Sequence, residues 1–228
     1  AQDTLGLSAG PKVKTGIEVL RSRGFEGLAG KRVGLVTNPS GVDSQLNSTI
    51  DILFEAPEVN LVALYGPEHG VRGNAYAGDK VADSRDSKTG LPVYSLYGAT
   101  RKPTPQMLEG IDVMVYDIQD VGVRSYTFIS TLGLVMEACA EKGIEVVVLD
   151  RPNPLGGNKI EGCYVEKPFN SFVSQYRIPY VYGLTVGEEI ILRDDNLKEI
   201  KVKISGIAQN FVYNYVYLNR ETYEDQLG

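Results

Sequence analysis

The sequence predicts an α/β fold, a Rossmann-like and mostly parallel sheet with helices on both faces. Three observations predict it. Four short runs, residues 31–37, 59–65, 112–116 and 144–149, are almost continuously apolar, as strands buried on both sides must be. Segments with helical periodicity alternate with them, the order expected of a parallel sheet. Each run also ends in a cluster of polar residues, and open α/β sheets bind their ligands outside the carboxyl ends of the strands.

Taken in order, Thr15-Gly-Ile-Glu18 has the capping-box pattern that opens a helix, and residues 31–37 follow as the first strand. Ser48-Thr-Ile-Asp51 repeats the pattern ahead of the second strand at 59–65. The stretch 70–101 reads as a long loop with a short strand at 91–96, and loops of that length in a compact domain are usually functional. Thr104 before Pro105 predicts an N-cap with proline at the first helical position, closed by Gly110. Beyond the strand at 112–116, Phe128, Ile129, Leu132, Val135, Met136, Cys139 and Ala140 recur at three- and four-residue spacing. They predict an amphipathic helix over 126–142 with a stop at Gly143, followed by the strand at 144–149. After Glu188 the character changes: residues 200–204 alternate like a half-exposed strand, and 211–217 are aromatic and β-prone. The expected organisation is a Rossmann-like domain over 1–188, then part of a smaller second domain or a C-terminal extension over 189–228.

With 228 residues, 43% of them hydrophobic and 23% charged, the chain can bury a sizeable core. A net charge of −6 without a basic stripe argues against a nucleic-acid partner. No apolar run approaches the roughly 18 residues of a membrane span. Cys139 and Cys163 have neither metal-binding nor redox spacing. The first residue is Ala1 rather than Met, which fits an export signal already removed and an expected periplasmic or secreted location. A dinucleotide site needs G-x-G-x-x-G between strand and helix, whereas the first strand here runs into Asn38-Pro-Ser-Gly41 and no Walker A motif follows. No nucleotide cofactor is expected.

Three clusters carry candidate chemistry. In Gly66-Pro-Glu-His-Gly70 the glycines allow a tight path that sets Glu68 and the sole histidine, His69, at a strand's carboxyl end. Glu68 reads either as a general acid whose pKa is raised by burial or as a loop carboxylate bonded to backbone N–H groups. The second cluster holds Asp117, Asp120, Arg124 and Tyr126. Paired carboxylates suit glycosidic bond cleavage, and an arginine can grip a substrate carboxylate with two hydrogen bonds. Equally, Asp117 could cap the following helix and Arg124 could pair with Asp120. The third, Asp150-Arg-Pro-Asn-Pro-Leu-Gly-Gly157, combines a path fixed by proline and glycine with Asp150, Arg151 and Asn153.

These clusters, with Val33-Gly-Leu-Val-Thr-Asn-Pro-Ser-Gly41, Tyr116-Asp-Ile-Gln-Asp-Val-Gly-Val-Arg124 and Gly183-Leu-Thr-Val-Gly-Glu188, resemble the bacterial exo-β-N-acetylmuramidase family in order along the chain. The resemblance implies a Rossmann-like catalytic domain followed by a smaller one. It also implies release of N-acetylmuramic acid from the non-reducing ends of peptidoglycan fragments, without nucleotide or metal. It places the catalytic glutamate at Glu68 and supporting roles at His69, Asp117, Asp120, Arg124 and Tyr126. Tyr182 stands where the family pattern has histidine. That substrate carries a lactyl carboxylate and a 2-acetamido group, so cations are expected in its site. Arg72, Arg124 and Arg151 are the candidates, with Asn38, Asp150 and Asn153 as further sugar contacts and Asp117 or Asp120 to hold the amide N–H. Water, protein or the acetamido group itself could attack the anomeric carbon. The rival expectation is a non-catalytic glycan-binding or cell-envelope protein on the same fold.

Overall fold

The computed structural model describes residues 13–68, 70–73, 84–156, 159–182, 189–193 and 199–203. Helix α1 (Gly16–Ser22) opens at Thr15, whose backbone N–H and hydroxyl both donate to the Glu18 carboxylate at 2.8 and 3.0 Å. Gly16 is required there: a Cβ would come within 2.5 Å of the Leu149 backbone. Strand β1 (Arg32–Thr37) leads to helix α2 (Thr49–Glu55) and strand β2 (Asn60–Gly66). Two short strands follow, β3 (Ser84–Arg85) and β4 (Pro92–Ser95), then β5 (Val113–Asp117), helix α3 (Phe128–Lys142) and β6 (Glu145–Val148). The α3 helix stops at Gly143, whose φ of 68° is the left-handed cap conformation.

The main sheet runs β3-β4-β2-β1-β5-β6, parallel throughout except for the β3–β4 pair. Its first half is laid outward from β1 in one direction and its second half in the other. The order reverses between β1 and β5, which puts the topological switch at the ends of those two strands. Ile17, Leu20, Ile50 and Leu53 of α1 and α2 cover one face, packed with Val33, Leu35, Leu64 and Val115. Val135, Ala138 and Cys139 of α3 cover the other, packed with Val36, Tyr65, Met114 and Tyr116. Each fully buried Leu or Val contributes about 1.5–3 kcal/mol, so the two layers hold the sheet rigid and its carboxyl edge in place.

Two local readings are corrected. Residues 105–110 form successive turns rather than a helix. Thr104 Oγ1 accepts from the Met107 N–H at 3.3 Å and Gly110 takes φ 77°, as a capped helix would, but the segment is too short to offset the cost of nucleating one. Ser48 caps α2 through the Ile50 N–H at 3.3 Å, yet Asp51 does not turn back to complete a box. Its carboxylate bonds Arg72 at 2.8 Å and Lys88 at 2.7 Å instead.

Past β6 the chain folds back over the carboxyl edge. Strands β7 (Ile160–Glu161) and β8 (Val181–Tyr182) pair antiparallel, and β8 lies against the loop after β5, with the Tyr182 N–H on the Gly122 carbonyl at 2.7 Å. Strands β9 (Glu189–Arg193) and β10 (Glu199–Lys203) form a separate antiparallel pair, β10 starting one residue before the strand expected at 200–204. Residues 211–217 lie outside the described residues.

Candidate active site

All four predicted polar clusters sit at the carboxyl edge of the main sheet, because each is the continuation of a parallel strand. β2 and β5 are separated by β1, so Glu68 and the Asp117–Arg124 loop leave strands standing about 10 Å apart, at roughly 4.8 Å per strand spacing.

The loop leaving β2 turns tightly, with the Gly70 N–H donating to the Pro67 carbonyl at 3.1 Å and Gly70 at φ 72°. Glu68 is half-buried on this turn. The phenol of Tyr97, at the end of β4, donates to its carboxylate, and that bond raises the Tyr97 pKa. Tyr97 is itself held by Ser95, whose Oγ donates to the Tyr97 carbonyl at 2.9 Å and accepts its N–H at 3.2 Å. Beyond the turn, Arg72 is fixed by Asp86 at 2.5 and 3.0 Å and by Asp51 at 2.8 Å. The Arg72 hydrogen bonds hold the Asp86 carboxyl down to about 2. Arg72 therefore anchors the turn and has its charge matched. His69 lies outside the described residues.

At the switch point the space between β1 and β5 is filled. Thr37 Oγ1 donates to the Asp117 carbonyl at 2.8 Å, and the Gln119 N–H donates to Ser40 Oγ at 2.9 Å. Asn38 commits its side-chain oxygen to Ser40, at 2.9 Å to the N–H and 2.5 Å to the hydroxyl. Gly41 sits so close that a Cβ would meet Thr37 Oγ1. Asp117 neither caps a helix nor faces open space. It is fully buried as the last residue of β5, bonded by the Thr49 hydroxyl at 2.5 Å and by Arg151.

Asp120, three residues on, is only half-buried and is not paired with Arg124. Burial raises its pKa, against the Tyr182 O–H at 3.1 Å and the nearby N–H groups of Val121 and Gly122. Arg124 donates from Nη1 to the carbonyls of Cys163 at 2.7 Å and Ile178 at 2.8 Å, with its Cζ 5.5 Å from the Tyr180 ring. Tyr126 is exposed on the rim. In the loop after β6, Asn153 reaches the Tyr182 carbonyl at 3.2 Å, and Asp150 is exposed. Asp150 and Arg151 also line a groove of about 750 Å³ between α1 and β6, which does not include Glu68. No group of three or more His, Cys, Asp or Glu among the described residues is placed to hold a metal ion.

Sequence reasoning missed Tyr97. The signal was present, since the strand at 91–96 is followed directly by a polar aromatic residue just as the others are followed by polar clusters.

The family model for the N-terminal part of the exo-β-N-acetylmuramidase NamZ matches residues 33–223. The chain belongs to this family. It is 57% identical over 178 residues, 78% of its length, to the peptidoglycan β-N-acetylmuramidase NamZ of Bacillus subtilis strain 168. It also superposes on two crystal structures of DUF1343 family proteins from Bacteroides fragilis NCTC 9343. One has TM-score 0.70 and 67% identity over 75% of this chain, the other TM-score 0.65 and 36% identity over 77%. The chain spans 43% of the Bacillus protein and 43% and 45% of the two crystallised chains, so it corresponds to less than half of each relative. The turn bearing Glu68, the closed switch point and the Arg151–Asp117 brace all lie within the matched NamZ family range.

Proposed function

We propose that the chain supplies the catalytic half of an exo-acting β-N-acetylmuramidase, a glycoside hydrolase that removes N-acetylmuramic acid from the non-reducing ends of peptidoglycan fragments. The observation that carries this reading is the 57% identity to a peptidoglycan β-N-acetylmuramidase. The local chemistry supports it: a half-buried glutamate at a strand's carboxyl end, steadied by a tyrosine hydroxyl.

In this reading Glu68 protonates the leaving oxygen as the glycosidic C–O bond breaks, its electron pair going to that oxygen. Water adds its oxygen to the anomeric carbon and gives up a proton to a carboxylate, which restores the acid. Asp120, held by Tyr182, faces the 2-acetamido N–H. Asp117 and Arg151 brace the strand ends rather than touch the sugar, and Asn38 shapes the loop beside them. His69 keeps a supporting role next to Glu68. Tyr126, Asp150 and Asn153 form the rim. Because the substrate is cell-wall glycan, the protein works in the periplasm or outside the cell.

The test is to incubate the protein with the disaccharide of N-acetylmuramic acid linked to N-acetylglucosamine, and to measure release of the free acid sugar and its binding in parallel. Release supports the hydrolase. Binding without release assigns a glycan-binding protein on the same fold.

A further inference from the structure

Three arginines with described side chains are drawn in from solvent: Arg72, Arg124 and Arg151. Two of them are committed. Arg72 is matched by Asp51 and Asp86, and Arg151 by Asp117. Arg124 has no carboxylate within ion-pair distance among the described residues. Its only described hydrogen-bond acceptors are the two neutral carbonyls of Cys163 and Ile178, and both are reached from Nη1.

That arrangement has a direction. Anchoring a guanidinium at one nitrogen fixes its plane and leaves the Nε–Nη2 edge as a fork of parallel donors, the geometry that fits a carboxylate. A cation partly withdrawn from water without a counter-charge is costly, and a ligand anion removes that cost. The surroundings suit an acidic sugar. Tyr180 lies against the guanidinium at 5.5 Å, and its hydroxyl is 3.1 Å from Ser125 Oγ. Tyr180 is 46% exposed, leaving ring surface free beside the charge.

We infer that Arg124, with Tyr180 and Ser125, is a carboxylate receptor that selects muramic acid over its neutral counterpart. This rests on the muramidase reading and deepens it by naming the side chain that tells N-acetylmuramic acid from N-acetylglucosamine. The carboxylate is either the lactyl group of the sugar or the free end of a peptide stem attached to it. Both present the same anion to the same fork.

Four ligands separate the possibilities in isothermal titrations of the protein: methyl N-acetyl-β-muramic acid, its lactyl methylamide, muramyl dipeptide and methyl N-acetyl-β-glucosamine. The free acid is expected to bind about 10- to 100-fold tighter than the methylamide or the glucosamine, the size of a charged hydrogen-bonded pair. Muramyl dipeptide has its lactyl group tied up as an amide. If it binds like the free acid, the peptide carboxylate is the anion received; if it binds like the methylamide, the lactyl group is. R124Q should erase the preference and R124K, which keeps charge but loses the fork, should keep part of it. The comparison of free acid with methylamide leaves the protein unaltered, so it stands even where a variant fails to fold. Equal binding of acid and methylamide by the wild type, with muramyl dipeptide no tighter, overturns the inference. So does an undiminished preference in folded R124Q, while release of N-acetylmuramic acid by the same wild type would leave the hydrolase reading standing. If none of the four sugars binds, the muramidase reading itself falls.

Discussion

Arg151 closes over Asp117 with two near-parallel hydrogen bonds, Nε to Oδ1 at 2.6 Å and Nη2 to Oδ2 at 2.9 Å. The arginine side chain is 5% exposed and the acid 0%. Through them the loop after β6 is fastened to the end of β5, and a further bond from Nη2 to the Val42 carbonyl at 2.8 Å fastens the loop after β1 as well.

Removing one member of this pair should therefore be worse than removing both. Arg151→Met leaves a buried carboxylate uncompensated, a loss of about 3–5 kcal/mol, read as a lower urea midpoint. The double variant with Asp117→Asn should recover much of that loss. A single variant as stable as the wild type would mean that the pair does not brace the edge.

Glu68→Gln keeps the shape and hydrogen-bonding capacity of the side chain but removes its exchangeable acid proton. General acids typically contribute about 10²- to 10⁴-fold, so kcat on the muramic disaccharide should fall by that factor with sugar affinity little changed. A loss confined to KM would assign Glu68 to ground-state binding.

Asp86 gives the fold an acid-sensitive element. Its carboxyl is held at about 2 by Arg72, below the ordinary 3.8, so it favours the fold fully above that ordinary value. The contribution is lost as the pH falls towards 2. Urea midpoints measured between pH 5 and pH 2 should fall less steeply for Asp86→Asn than for the wild type. An unchanged slope would remove Asp86 from the acid response.

Asp120 is set the other way. Burial raises its pKa above the ordinary 3.8, so charging it opposes folding once the pH passes that value. Asp120→Asn should melt higher than the wild type at pH 7, with the gain disappearing below about pH 4, where the native carboxyl is neutral too. Turnover of the disaccharide should drop in the same variant. Higher stability with full activity would confine Asp120 to a structural place.

The strands could be read from the sequence because a strand buried on both faces leaves an unbroken apolar run, as residues 113–116 do. Thr15 with Glu18 and the stop at Gly143 were equally plain, since a cap is made by neighbours in sequence. What sequence spacing does not carry is a partner brought up by the fold. Asp51 looks like a box residue until Arg72 arrives from 21 residues away, and Asp117 looks like a free acid until Arg151 arrives from 34. Arg124, Arg72 and Arg151 are indistinguishable as letters. Only the packing reveals which of the three has its charge unmatched.

The filled space between β1 and β5 also bears on which ligands such a protein can take. In doubly wound sheets that crevice is the berth for dinucleotides, and here Thr37, Ser40 and Gly41 close it with the chain's own hydrogen bonds. A ligand patterned on an adenine nucleotide would have to part those bonds to settle there, whereas an acidic amino sugar meets, at the same edge, an Arg124 bonded only from Nη1.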